Sequence, residues 1–334
     1  MIGWYIHHHG FGHVARFLAV QPHLSEPVIA LSSMPRPDGL GSEEEWVVLP
    51  PDADAFEAAD GTRVDPRDAD PTVRGRLHWA PIGHPWHRRR LATIATIAAE
   101  RALDGFVVDV SAEVVAFARL LGLRTVAVTQ PGMRTDPAHV LAYDLADRII
   151  APWTQGAVPS PGLDPHVERV TWTGGISRFD GRPAPDRVDE RHVLFLGRVL
   201  PPDVREASVR LLTERGWTVT SVGHDDASRV DDPWQLLTRC TVVVTAAGQN
   251  SVADVAASGA RCVVIAQDRP FDEQRATAEA LARWGLARRA DDDISPTELA
   301  DLVERAADDT PEWARWRTAG AARRMAAAIQ GTAP

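Results

Sequence analysis

One segment of this 334-residue chain, Val242 to Ala278, restricts the fold more than any other. The β-branched run Val242-Val243-Val244-Thr245 reads as a buried strand. It stops at Ala246-Ala247-Gly248, and a helical pattern starts at Asn250. A second apolar strand, Cys262 to Ile265, opens into the polar loop Gln267 to Gln274. Strand, loop, helix and strand in that order make one unit of a parallel sheet, in which ligands sit beyond the carboxyl ends of the strands. Gly248 allows a ligand close to the backbone, and the helix behind it points unpaired N–H groups at an anion. Asp254 lies one turn beyond Ser251 on the same helix face, where a carboxylate can accept both vicinal hydroxyls of a ribose. The unit is suited to a nucleotide.

The residues Ala246 to Asp254, Ala257-Ser258-Gly259 and Val263 to Gln274 resemble the donor-sugar signature of MurG-type glycosyltransferases. A second match stands at the other end of the chain, where Gly10-Phe11-Gly12-His13-Val14-Ala15-Arg16 fits GxGHxxR. That form recurs in MurG-like transferases and in the related UDP-sugar hydrolase of the pseudaminic acid pathway. The resemblance implies an α/β fold of two Rossmann-like domains facing across a cleft, the GT-B architecture. It implies that Asp254 holds the ribose and Gln274 the donor sugar. Gly248, Gln249, Asn250, Ser251, Arg269, Asp272 and Glu273 complete the implied donor side. The family acid is usually Glu, so Asp254 is one methylene short and its helix must sit closer to the ribose. The family's Gly-rich loop after the first strand of the second domain reads here Leu196-Gly197-Arg198-Val199-Leu200-Pro201-Pro202. Gly197 and Arg198 are the diphosphate candidates there, with Gly174-Gly175 as substitutes.

Length alone suggests two domains of about 150 residues each. The βα alternation gives boundaries at 1–152 for an acceptor-side domain, 153–169 for a Pro- and Gly-containing linker and 170–311 for a nucleotide-sugar domain. A final amphipathic helix over 312–330 is expected to return to the first domain, by resemblance. Val170 to Thr173 is read as the first strand of the second half. Ser295-Pro296-Thr297-Glu298 is a capping box that starts a helix. All 36 basic residues are arginine, which excludes Schiff-base lysine chemistry and a Walker-type P-loop. A net charge of −10 argues against general nucleic-acid binding. Cys240 and Cys262 form neither a metal motif nor a disulfide framework. With no apolar run of about 18–20 residues and no signal-peptide pattern, a cytoplasmic protein is expected.

His13 is the leading catalytic candidate, because it follows a Gly-rich turn at the carboxyl end of the first strand and opens a helix. Asp109 ends the strand Gly105 to Asp109, and three roles stay open for it: orienting His13, binding acceptor hydroxyls, or capping the helix at Ser111. Glu113 is a weaker candidate. Gly10, Gly12, Arg16, His78 and Trp79 are placed on the acceptor side. His7, His8 and His9 alternate along a strand, so a metal site with His13 is disfavoured. Asp52-Ala53-Asp54 imitates a metal-binding DxD but is read as solvated charge in a loop over Asp52 to Pro71. The reading is an inverting, metal-independent transfer from a nucleotide sugar, by resemblance a UDP-sugar, to a small-molecule, glycan or lipid-linked hydroxyl. The alternatives are a nucleotide-sugar hydrolase and a non-catalytic sugar-nucleotide sensor. No cofactor is expected, and weak peripheral membrane contact is assigned to the segment around Trp86 and Arg88 to Arg90.

Overall fold

The computed structural model describes residues 1–8, 10–184 and 189–331. The first sheet contains β1 (Ile2–Ile6), β2 (Val28–Ser32) and β3 (Glu45–Val48). A two-residue-per-strand hairpin, β4 (Phe56–Glu57) with β5 (Arg63–Val64), stands apart from it. The sheet continues with β6 (Gly105–Asp109), β7 (Arg124–Val128), β8 (Arg148–Ala151) and β9 (Val170–Trp172). Its order is β3-β2-β1-β6-β7-β8-β9, and every pair is parallel. The second sheet holds β10 (His192–Leu196), β11 (Thr218–Val222), β12 (Val242–Ala246), β13 (Arg261–Ala266) and β14 (Arg288–Asp291). Its order is β11-β10-β12-β13-β14, again parallel throughout.

Helices cover both faces of each sheet, so β1 and β6 are buried along their whole length, which is why they read as apolar runs. In the first domain these are α1 (Gly12–Val20), α2 (Pro85–Glu100), α3 (Ala112–Leu120) and α4 (Pro137–Leu145). In the second they are α5 (Pro202–Glu214), α6 (Trp234–Arg239), α7 (Gln249–Ser258), α8 (Glu273–Arg283) and α9 (Pro296–Ala306). Helix α10 (Ala321–Ile329) lays Ala322, Met325 and Ile329 into the same core as Ile2, Trp4 and Ile6 of β1. Helix α9 starts where the Ser295–Glu298 capping box predicts, with Glu298 N–H donating to Ser295 Oγ (3.3 Å) and Ser295 N–H to Glu298 Oε2 (3.1 Å). No described helix is long and apolar enough to cross a membrane.

Strand order reverses between β1 and β6 in the first sheet and between β10 and β12 in the second. Crevices open at such reversals, beyond the carboxyl ends of the strands. His13 follows β1 and Asp109 ends β6, while Gly197 follows β10 and Gly248 follows β12. Sequence-singled residues thus flank both reversals.

Five expectations are corrected. Val170–Trp172 joins the edge of the first sheet beside β8 and does not open the second. The stretch 153–169 is no free linker: Trp153, Ala157, Val158 and Leu163 are buried, so the crossing between sheets comes after Trp172. The segment 312–330 is a 3-10 turn (Trp313–Trp316) and a separate helix, because Arg317 and Gly320 adopt left-handed backbones (φ 55° and 72°). Gly174 and Gly175 seat that crossing instead of a diphosphate: Gly175 N–H donates to Trp316 O (3.2 Å), and a β-carbon there would sit 2.6 Å from the indole nitrogen. Finally, Asp52 is buried, not solvated, and Arg90 is buried away from the face given to membrane contact. Asp52 Oδ2 pairs with His87 Nδ1 (2.9 Å), and Arg90 donates to Tyr5 Oη (2.7 Å) and Pro50 O (2.8 Å). Only Arg88 and Arg89 of that basic run lie on the surface, beside the exposed Ile82 and Trp86.

Candidate active site

The turn 10–12 bends β1 into α1, with Gly10 at φ 87°. Gly12 sits close against the opposite domain: a β-carbon there would lie 3.3 Å from the Asn250 side chain. On the first turn of α1, His13 is 7 % exposed and places Nδ1 3.1 Å from Asp109 Oδ1. Asp109 is fully buried at the end of β6. Burial alone would push its carboxyl up, but the Arg16 guanidinium and His13 prevail and hold it below the usual range. An ionised Asp109 can only accept, so Nδ1–H of His13 donates and Nε2 is left as the acceptor. The contact with His13 fits the orienting role, and the free Oδ2 keeps acceptor binding open; the capping role falls to another residue. Ser111 caps α3 itself, accepting from Val114 N–H at 3.3 Å.

Arg16, one turn beyond His13, is 3 % exposed. Its NH1 donates to Asp109 Oδ1 (2.7 Å) and its NH2 to Gln249 Oε1 (2.8 Å) across the cleft. Asn250 Nδ2 donates to the Gly12 carbonyl at 2.5 Å. The amino ends of α1 and α7 therefore clasp each other over the His13–Asp109 pair. Asp109 Oδ2, Arg16 Nε and Gln249 Nε2 are buried with no hydrogen-bond partner among the described residues. A closed polar centre keeps that much capacity only where a ligand or water meets it.

On the second domain Gly248 is the N-cap of α7, with no side-chain cap, so the first N–H groups of the helix are open to an anion. Gln274 is 6 % exposed, and its Oε1 accepts from Gln267 N–H (3.2 Å). Burial pushes the neighbouring Glu273 carboxyl up, against the charges of Arg134, Arg16 and His13, so Glu273 shares the field of the His13–Asp109 pair. Asp272 is exposed, with Oδ1 4.0 Å from Arg275 Nε. Asp254 turns toward the segment between the sheets: Ser177 Oγ donates to Oδ1 (2.6 Å) and Arg178 Nε lies 3.6 Å from Oδ2. Burial raises its carboxyl to about 6 despite both partners. Arg198 and Arg269 line a cavity of about 330 Å³ with Val199, Pro201, Gln267, Asp268 and Asp292. Gln267 Nε2 braces that wall through the Arg198 carbonyl (2.6 Å). Gly197 has φ 87°, which its place in the turn requires.

His78 and Trp79 are fixed by Glu113, whose Oε1 accepts both backbone N–H groups at 2.6 and 3.3 Å. Trp79 spends its indole N–H on the Asp52 carbonyl (3.2 Å). His78 Nε2 lies 2.8 Å from Asp136 Oδ1, and His139 Nδ1 lies 2.5 Å from Oδ2. These three form the one group among the described residues whose ligand atoms could converge on a metal. Arg134 NH1 donates to His139 Nε2 at 3.0 Å, however, so Nδ1 carries the ring proton and is not a lone-pair donor. Burial and the Arg134 charge lower His139 to about 4, while its hydrogen bonds overcome burial to hold Asp136 at about 2. A neutral imidazole against an ionised carboxylate is a hydrogen-bonded brace. His7 stacks on His8 (ring centroids 4.9 Å) and lies 5.7 Å from His13, and His9 is outside the described residues.

Sequence reasoning passed over Arg134, Asp136, His139 and Phe271. The signal was present in Gln130-Pro131-Gly132, a turn at the carboxyl edge of β7.

No protein-family model matches the chain, and no curated protein matches it. Solved structures do. A kitacinnamycin glycotransferase is similar over 100 % of this chain and 99 % of its own, at 17 % identity and a TM-score of 0.67. MurG of Acinetobacter baumannii covers 99 % of both chains at 15 % identity and a TM-score of 0.65. The spinosyn rhamnosyltransferase SpnG, complexed with thymidine diphosphate, covers 99 % of this chain and 96 % of its own at 14 % identity and a TM-score of 0.61. The likeness establishes the GT-B fold, with two Rossmann-like domains facing across a cleft.

Proposed function

We propose that this protein is an inverting, metal-independent glycosyltransferase that moves a sugar from a pyrimidine nucleotide sugar to an acceptor hydroxyl. The observation that carries the reading is the buried His13–Asp109 pair at the reversal of the first sheet, facing the open helix end at Gly248 and the side chain of Gln274. An acceptor hydroxyl on the first domain gives its proton to His13 Nε2 as its oxygen attacks the anomeric carbon. Asp109 orients the ring and stabilises the imidazolium that forms. The bond to the nucleoside diphosphate breaks on the opposite face, which inverts the centre. The leaving charge is taken up by the α7 N–H groups and by Arg198 and Arg269, without a metal ion. Asp254 is assigned to the ribose and Gln274, with Glu273, to the sugar.

UDP is the base expected from the motif resemblance, and SpnG with thymidine diphosphate supports including both pyrimidines. A panel of UDP- and TDP-sugars, each with and without acceptor hydroxyls of small-molecule, glycan and lipid-linked kinds, tests the reading by diphosphate release. Release that rises with one acceptor and yields a glycoside of inverted configuration agrees with it. Release of free sugar that no acceptor increases assigns the site to hydrolysis, with water in the acceptor's place. Binding without any release assigns it to a sensor.

A further inference from the structure

The loop that carries Glu273 and Gln274 leaves its own domain and docks into the other one. Phe271 and Asp272 both have left-handed backbones (φ 62° and 56°), which β-carbon sterics disfavour. What holds them lies across the cleft. The Phe271 carbonyl accepts from Met133 N–H at 2.9 Å. Gly132, at φ 105°, makes room for it, since a β-carbon there would collide with that carbonyl oxygen. The Phe271 ring lies 4.9 Å from the Arg134 guanidinium and 4.8 Å from His139, edge to face, with His78 at 5.5 Å on a third side. Arg134 is itself pinned by the carbonyls of Gln130 (2.9 Å) and Pro131 (3.2 Å), and the Asp136 brace fixes both histidines. This is a rigid aromatic and cationic socket made for one side chain of the opposite domain.

We propose that Phe271 is a positioning residue: seated in the socket of Gly132, Arg134, His78 and His139, it sets the distance between the sugar-facing Glu273–Gln274 pair and His13. The proposal rests on the nucleotide-sugar reading and adds to it. Recognition of the sugar requires the socket, whereas recognition of the nucleoside diphosphate, held by the second domain alone, does not. A strained loop fixed from outside its domain also couples domain closure to sugar recognition, because the loop takes its working shape only when the domains meet.

The test uses the full chain with Phe271→Ala, Gly132→Ala, their double variant and Phe271→Tyr, titrated with UDP and with the UDP-sugar that the wild type binds most tightly. Both alanine variants should lose sugar-nucleotide affinity by about tenfold while UDP affinity stays within about threefold. Phe271→Tyr, which keeps the ring, should restore the preference. The double variant should be no worse than either single one, since the two changes open the same lock from opposite domains. Hydrogen exchange at the Met133 amide should quicken in Phe271→Ala. If the wild type binds both compounds and the alanine variants keep its preference, or if Met133 exchange is unchanged, the proposal is overturned by itself. A wild type that binds neither compound removes the nucleotide-sugar reading along with it.

Discussion

At the scale of single residues the account turns on two carboxylates in opposite environments. Asp109 is buried but charged, because Arg16 and His13 hold it so; Asp254 is buried and raised to about 6, because Ser177 and Arg178 do not fully offset desolvation. For Asp109 the consequence under the proposed function is catalytic. Asp109→Asn should leave the nucleotide affinity unchanged and lower turnover, because an amide in its place can donate to Nδ1 and select the wrong tautomer; steady-state diphosphate release checks this. For Asp254 it is thermodynamic. Its folded value lies above the unfolded one near 3.8, so the native state binds the extra proton between about pH 4 and 6. Its contribution to stability is therefore greatest at low pH and is lost as pH rises through about 6, at a cost on the order of 3 kcal/mol by pH 7.5. Asp254→Asn should flatten that slope, as urea unfolding at pH 5 and 7.5 will show, and should weaken nucleotide binding through the ribose.

At the scale of elements, the clasp between α1 and α7 is the feature to break. Arg16→Leu would leave the Asp109 charge buried with its main partner gone, so unfolding free energy should fall by about 3–5 kcal/mol in urea titrations. Gln249→Ala with Asn250→Ala removes two interdomain hydrogen bonds and should cost only about 1–3 kcal/mol. The elements were legible where local signals decide them. The strand–loop–helix–strand unit at Val242, the glycine turn before His13 and the Ser295 capping box all follow from short-range chemistry. What was not legible depends on partners distant in sequence. Nothing in Val170-Thr171-Trp172 tells which sheet a three-residue strand will join. The periodicity over 312–330 runs straight through Arg317 and Gly320, whose left-handed backbones break the helix, Arg317 where the chain crosses Gly174. Asp52 reads as loop charge until His87 and Arg90 close over it. The Phe271 socket is assembled from three separate segments of the first domain, so no local pattern marks it.

At the scale of the molecule, two sheets with their order reversals turned toward each other make a cleft whose two lips carry different chemistry. The first lip offers an imidazole hydrogen-bonded to a buried acid, and the second an open helix end, a deep glutamine and a cavity rimmed by arginine. A ligand bound only to the folded second domain stabilises the chain by mass action. UDP at about a hundredfold over its dissociation constant should add about 2.7 kcal/mol to stability. Turnover should also survive a chelator, because Asp52 of the DxD-like run is buried against His87; loss on chelation with recovery on adding manganese or magnesium would contradict that. The most direct measurement of the central claim compares wild type and His13→Ala in the same preparation, reading nucleotide-sugar affinity by titration and diphosphate release by turnover. The account predicts nearly equal affinities and a fall in turnover of about two to four orders of magnitude. A His13→Ala protein that turns over at the wild-type rate would contradict it.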